Sequence, residues 1–249
     1  MNRMEQTRLQ SIQAWAQAQR QAMHEAVRNT PVAIQQVTPA AAAGGSASSG
    51  GAVTGDISIE MYKDLWEGEI PPFIYDPEFW TYIFQVDGDN LNQQFTSATI
   101  EDLGETFMLN LTGPTSLIVP ALLFSLDKQS IMFVKSISDP LGIIKELKYA
   151  AFSNNDGLVS VSLPGCTTFS DYATFSYCDA LTDVYLPALT SSLGLAFYDC
   201  MSLEQISLPS LITLGSDEFG GCSALTTVDL PLVENVQPYA FGSCASLTS

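Results

Sequence analysis

LEQISLPSLITLGSDEFGGCSALTTVDLP, residues 203–231, holds one complete unit of a pattern and the opening of the next. Leu203, Ile206 and Leu208 alternate with polar residues and stop at Pro209. The same order returns as Leu225, Val228, Leu230 and Pro231. Working outward, LVSVSLP opens at Leu158 and LTDVYLP at Leu181, and a further opening at Leu247 reaches only Ser249. The steps between these leucines are 23, 22, 22 and 22 residues. Self-similarity at such a period marks an architecture of stacked units.

Each recurring position has one physical job. Leu158, Leu181, Leu203 and Leu225 form one apolar column, and Val161, Val184, Ile206 and Val228 a second. Leu163, Leu186, Leu208 and Leu230 form a third, each followed by a proline (Pro164, Pro187, Pro209 and Pro231). A proline has no N–H for a sheet ladder, so it ends a short strand. Cys166, Leu189, Leu211 and Val233 follow, then Phe175, Phe197, Phe219 and Phe241, then Cys178, Cys200, Cys222 and Cys244. One unit is too thin to bury these side chains. Stacked at the strand spacing of about 4.8 Å, they make one continuous core.

These residues resemble the BspA-like leucine-rich repeats, whose units run L-x-x-[IV]-x-L-P, an apolar pair, then A-F-x-x-C-x-[SA]. Ala196-Phe197-Tyr198-Asp199-Cys200 and Ala240-Phe241-Gly242-Ser243-Cys244 follow that ending. The first unit departs by one inserted residue between Cys166 and Phe175 and by Thr174 in the alanine position; the third has Glu218 there. Tyr149-Ala150-Ala151-Phe152, after Ile144 and Leu147, looks like a degenerate first unit with Asn155 in the cysteine position. The resemblance implies a solenoid of stacked right-handed coils. It also implies a family of mostly surface, adhesion or host-contact proteins.

The whole chain is therefore read as mainly β. A C-terminal leucine-rich-repeat β-solenoid (148–249) follows a small β-rich domain (56–147), an Ala/Gly/Ser-rich linker (38–55) and an N-terminal α-helix within 1–37. Residues 5–28 are good helix formers. Leu9, Ile12, Ala16, Gln19, Met23 and Ala26 fall on steps of three and four. That is a heptad seam with a polar interruption at Gln19. Two readings remain for it, a solvated half-formed helix and a helix docked on a partner through Leu9, Ile12, Ala16 and Met23. In the β-rich part, strands are expected at 57–61, 80–86, 107–111, 116–126 and 131–137, and a short helix within 90–103.

Chemistry is hard to place. The only histidine, His24, lies before the linker, out of reach of a nucleophilic triad. The repeat cysteines lack paired metal-site spacing and read as core filler, so no metal, cofactor or catalytic residue is expected. Asp87-Gly88-Asp89-Asn90 starts like a calcium loop, but Ala98 stands where the bidentate glutamate belongs, so a turn is the better reading. The aromatics Trp66, Phe73, Tyr75, Phe79, Trp80, Tyr82 and Phe84, mixed with carboxylates, suit a core or an interface; a sugar-gripping surface is the rival reading.

Net charge is −18, and from Asp156 onward there are ten carboxylates and no Lys or Arg. Such a surface repels phosphate backbones and anionic lipid. No run approaches the roughly 18 consecutive apolar residues of a membrane span. The first thirty residues carry no secretory pattern. The strand residues facing away from the core are Ser160, Asp183, Gln205 and Thr227, then Ser162, Tyr185, Ser207 and Asp229. Asp183, Tyr185, Gln205, Ser207, Thr227 and Asp229 are the candidate ligand-binding set.

Two functions from different classes follow. One is a non-enzymatic virion protein, a phage fibre, collar or tail appendage. It would attach to other virion proteins by its N-terminal helix, assemble as a trimer and offer its repeats to a host-surface glycan or protein. The other is a cellular leucine-rich-repeat scaffold or adhesin. Because the array stops inside a repeat at Ser249, its last coil is expected to pack on another subunit or on further chain.

Overall fold

The strand-ending prolines and the fixed period build short parallel strands that lie side by side from coil to coil. The structure is a computed structural model. It describes residues 57–63, 72–75, 77–84, 94–121, 123 and 134–248. The N-terminal helix, the linker and the Asp87–Asn90 turn expected above lie outside them. The strands are β1 (Ile57–Tyr62), β2 (Ser97–Asp102), β3 (Thr106–Thr112), β4 (Leu117–Val119), β5 (Val134–Ser138), β6 (Ile144–Leu147), β7 (Ser160–Ser162) and β8 (Thr168–Phe169). They continue as β9 (Asp183–Tyr185), β10 (Ser191–Ser192), β11 (Gln205–Ser207), β12 (Thr213–Leu214), β13 (Thr227–Asp229) and β14 (Asn235–Val236).

Odd-numbered strands from β5 and even-numbered strands from β6 form two faces of a solenoid. Its five coils end at Phe152, Phe175, Phe197, Phe219 and Phe241; we number them 1 to 5. One sheet has the order β2-β3-β1-β5-β7-β9, the second β14-β12-β10-β8-β6-β4, and β11-β13 form a separate pair. β5–β7–β9 pair in parallel, as do β6–β8–β10. Coil 1 thus begins at Val134, upstream of the Leu/Pro/Cys signature. β4 also pairs in parallel with β6, Val119 opposite Leu147. The first sheet changes direction at β1, which pairs antiparallel with β5 on one side and β3 on the other. Glu60 of β1 fastens this junction by accepting from Thr106 Oγ1 (2.7 Å) and from Lys135 Nζ of β5 (2.9 Å).

Two expectations in the β-rich part are corrected. The strand expected at 80–86 is instead a helix, α1 (Pro77–Phe84). Pro77 sits at its first position, where a missing N–H costs nothing. Trp80 and Phe84, one helical turn apart, are both buried. Trp80 Nε1 donates to Ile74 O at 2.9 Å. Aromatic density suggested a strand, but the four-residue spacing of the buried rings decides. The helix expected within 90–103 is absent from its described part, which is β2, paired along its length with β3.

The third face of the solenoid has no strands, and its hydrogen bonds need an unusual backbone. Among the described residues, all nine non-glycine residues with positive φ fall at two positions, two residues before and two after each phenylalanine. Ala150, Ala173, Leu195, Asp217 and Tyr239 occupy the first; Asn154, Tyr177, Asp199 and Ser243 the second, with Gly221 at the fifth site. This alternation aims every second N–H at the next coil. Leu195, Phe197 and Asp199 donate to Ser216, Glu218 and Gly220 of coil 4 at 2.9, 2.9 and 2.7 Å. The left-handed conformation costs an L-residue about 1–2 kcal/mol, and here the ladder offsets it. Between the two positions the phenylalanines stack face to face. Centroids are 5.1, 5.6, 5.3 and 5.5 Å apart from Phe152 to Phe241.

The cysteines do more than fill space. Cys178, Cys200, Cys222 and Cys244 each donate a thiol proton to the phenylalanine carbonyl of the preceding coil, at 3.2, 3.2, 3.0 and 3.1 Å. The Phe197 carbonyl also takes the Cys200 N–H of its own coil at 3.3 Å. All five thiols are free. Burial pushes those of Cys166 and Cys222 up to about 12, and raises Cys178 and Cys200 as well. A neutral thiol keeps the proton that this bond needs.

Two outcomes follow from this face. At exposed Tyr239, φ 61°, the Gly variant should be more stable than the Val variant by about 1–2 kcal/mol in urea titration, since Val tolerates the left-handed region worst; equal midpoints would contradict the assignment. With dithiodipyridine near pH 6, half-buried Cys244 should react in the native protein and the other four thiols only on unfolding. A second fast thiol would show that the ladder is open.

Candidate functional site

In a short β strand ended by proline, alternate side chains point out, and stacking turns single positions into rows. Ser160 stands opposite Asp183 and Ser162 opposite Tyr185. Gln205 stands opposite Thr227 and Ser207 opposite Asp229. Asp183, Tyr185, Gln205, Ser207, Thr227 and Asp229 are all exposed; Ser160 and Ser162 are half-buried. The six candidate residues therefore share one face, in two rows two residues apart.

The face is polar and acidic. Ser207 Oγ donates to Asp229 Oδ2 at 2.8 Å, and Thr182 Oγ1 to Asp183 Oδ2 at 2.8 Å. These bonds hold both carboxylates toward solvent with acceptor capacity to spare. Tyr185 is 57% exposed and offers a ring beside Asp183. Such a surface can accept hydroxyl, amide or cationic donors and stack a flat apolar group. Within the described residues no His/Cys/Asp/Glu group is placed to hold a metal ion.

The face is also divided, which the sequence pattern does not show. Among the described residues β9 and β11 share no ladder, although β7–β9 and β11–β13 pair normally. In this column Val184 is half-buried, as is Val228 on the last strand, whereas Val161 and Ile206 are 2% and 4% exposed. The set thus falls into Asp183 and Tyr185 on one side and the other four residues on the other.

Two polar residues are buried in the core on either side of the coil 3–coil 4 boundary, on β10 and on the third face. Ser192 is fully enclosed in a column otherwise filled by Leu147, Phe169, Leu214 and Val236. Glu218 is 0% exposed, and neither of its carboxyl oxygens has a hydrogen-bond partner; the Ser192 hydroxyl has none either. Burial pushes the Glu218 carboxyl up to about 7, against smaller opposing pulls from the Ser192 hydroxyl and the Ala196 backbone. The signal was the glutamate in an alanine column. Its burial becomes legible only once the column is known to face inward. Asp139 is a different case: it is also buried, but its Oδ2 accepts the Ile144 N–H at 2.6 Å and fastens the turn between β5 and β6.

Residues 129–248 match the BspA type leucine rich repeat region in six copies. The fold is similar to the leucine rich repeat protein of T. pallidum, at 27% identity over 54% of this chain and 57% of that one, TM-score 0.41. It is similar to a leucine-rich repeat protein from Eubacterium ventriosum, at 18% identity over 56% and 43%, TM-score 0.41. A leucine rich cell surface protein from Faecalibacterium prausnitzii matches at 20% identity over 63% and 52%, TM-score 0.34. The chain spans about half the length of each of these structures. Comparison with curated proteins gives no match. No helix among the described residues is long and apolar enough to cross a membrane. Residues 129–248, just under half of the chain, are similar to the BspA type leucine rich repeat family.

Proposed function

We propose that the chain is a non-enzymatic binding protein that offers the outward rows of β7, β9, β11 and β13 to a ligand on another surface. The observation carrying this reading is the row geometry: successive coils place Asp183, Tyr185, Gln205, Ser207, Thr227 and Asp229 on one exposed face. Solenoids bind through extended faces of this kind. The repeats carry no Lys or Arg after Lys148, so the ligand is neutral or cationic. A glycan fits best, because its hydroxyls suit paired carboxylate, amide and hydroxyl groups and its ring faces suit Tyr185.

Two settings use such a face. In a virion appendage, residues 1–37 attach to the particle and a trimer presents the repeats to the host; the helix-then-linker layout of the sequence favours this. In a cellular scaffold or adhesin, the same face meets a partner from the cell of origin. Mass spectrometry of purified particles separates them, since the virion setting requires the chain in the particle.

The face itself is tested by replacing Asp183, Tyr185 and Asp229 together with alanine. The expected result is loss of at least about tenfold in affinity on a glycan array, from removing contacts worth about 1–2 kcal/mol each, with an unchanged circular-dichroism spectrum. Unchanged binding would remove this face from consideration.

A further inference from the structure

The strandless third face carries a second group of exposed side chains, separate from the outward rows of the strands. Asn154, Tyr177, Asp199, Gly221 and Ser243 stand two residues after successive phenylalanines. Asp156, Asp179, Met201, Ser223 and Ala245 stand four residues after them, and all five are exposed. The ladder of this face sets the register. Ala173, Phe175 and Tyr177 of coil 2 donate to Gly194, Ala196 and Tyr198 of coil 3 at 3.1, 2.8 and 2.7 Å. Asp156 therefore neighbours Asp179 from coil to coil, and Tyr177 neighbours Asp199.

The aromatic part is a pair of tyrosines. Tyr177 and Tyr198 meet edge to face, with ring centroids 5.6 Å apart and planes at 68°. Tyr177 nevertheless stays 44% exposed. Tyr198 and Asp199 lean over coil 4, where the chain has Gly220 and Gly221. A Cβ on Gly220 would come within 2.9 Å of two Tyr198 ring carbons, and a Cβ on Gly221 would run into the Asp199 carboxylate. The same two positions hold Ser153-Asn154, Ser176-Tyr177 and Tyr198-Asp199 in coils 1 to 3. The bare backbone of coil 4 leaves the room that the ring and the carboxylate fill. The result is a shelf across coils 2 to 4.

The shelf is edged by negative charge without a counter-ion. Among the described residues Asp156, Asp179 and Asp199 take part in no ion pair, and no Lys, Arg or His occurs after Lys148. Burial raises the Asp179 carboxyl, and repulsion from Asp156 and Asp199 raises it further. Asp199 also adds to the rise of the Tyr177 phenol, after burial and Tyr198. An anion would worsen this repulsion and a neutral sugar would leave it in place. A cation relieves it, and an exposed tyrosine ring attracts the same cation through its π face. No described His/Cys/Asp/Glu group is placed to hold a metal ion. A guanidinium on a flexible stem suits the shelf better, because it stacks on aromatic rings and pairs with carboxylates.

We propose that this shelf docks an arginine-rich segment of a partner protein, with a guanidinium set between Tyr177 and the carboxylates of Asp179 and Asp199. The surface shares no residue with the outward rows of β7, β9, β11 and β13, so the proposal does not depend on what those rows bind.

Fluorescence anisotropy of a labelled hexa-arginine peptide with the full chain tests it, at a physiological ionic strength of about 0.15 M so that long-range attraction is screened. Three variants separate the shelf from net charge. Asp179→Asn with Asp199→Asn removes two charges at the shelf. Glu101→Gln with Glu234→Gln removes two exposed charges elsewhere. Tyr177→Asn leaves net charge unchanged. Asparagine tolerates the left-handed backbone of positions 177 and 199, and coil 1 already has Asn154 at that place. The aspartate pair should weaken binding at least about fivefold and the glutamate pair less than about twofold. Tyr177→Asn should weaken it about two- to fivefold, the size of an exposed cation–π contact. No binding by the unmodified chain, equal loss in the two charge pairs, or unchanged affinity in Tyr177→Asn would overturn the proposal. So would displacement of the peptide by a neutral glycan. Should Tyr177→Asn fail to fold, the comparison of the two charge pairs decides the matter alone.

Discussion

No coil of this solenoid can bury its own apolar side chains. Coils 3 to 5 each contribute one phenylalanine, one cysteine and four or five aliphatic groups in a layer about one strand spacing thick. Phe197 is shielded because Phe175 and Phe219 lie against its two faces. Coil-to-coil register is thus the constraint from which the rest follows. It explains why the core columns tolerate little, why nine residues accept a left-handed backbone, and why the thiols point at the carbonyls of the preceding coil. A shift of one residue between coils would break all three ladders together.

The same constraint creates the candidate binding surface. Side chains that alternate with the core residues have nowhere to go but outward, and register lines them into rows. Function at such a surface needs no special fold feature, only choice of residues at the outward positions. The places where core rules are broken are more informative. Asp139 in the strand-ending leucine column, Asn155 in the cysteine column, Thr174 and Glu218 in the alanine column and Ser192 in the Phe/Leu column are all buried polar groups. Ser192 and Glu218 belong to the two coils between which strand pairing on the first face is interrupted. Natural sequences break local consistency at sites that move or act, and this junction divides the proposed ligand face in two.

Much of the fold was legible because the period repeats the same evidence. Leu, Val/Ile, Leu-Pro, Phe and Cys each recur in register, so a chance match at one position is outvoted by the others. Coil 1 escaped the signature because Ile137, Pro140, Leu147 and Phe152 keep their positions while Asp139 replaces the strand-ending leucine and Asn155 the cysteine. The segment at Pro77–Phe84 misled because Trp, Tyr and Phe favour strands in isolation, whereas Trp80 and Phe84 pack one helical turn apart. The outward rows followed from alternation alone. The β9/β11 seam did not, because every residue around it fits the repeat; it arises from the fit of two coils, which no single column encodes. Glu218 was visible as a departure, and its meaning waited on knowing that its column faces inward.

The central claim is that stacking between coils, and not the content of any one coil, holds the protein together. Replacing Phe197, the middle ring of the stack, with alanine in the full chain tests it most directly by urea unfolding. The account predicts a loss of about 3–5 kcal/mol, the usual range for a fully enclosed phenylalanine, with loosened exchange at both the coil 2–3 and coil 3–4 amides. A loss below about 1 kcal/mol, typical of a surface position, would contradict it.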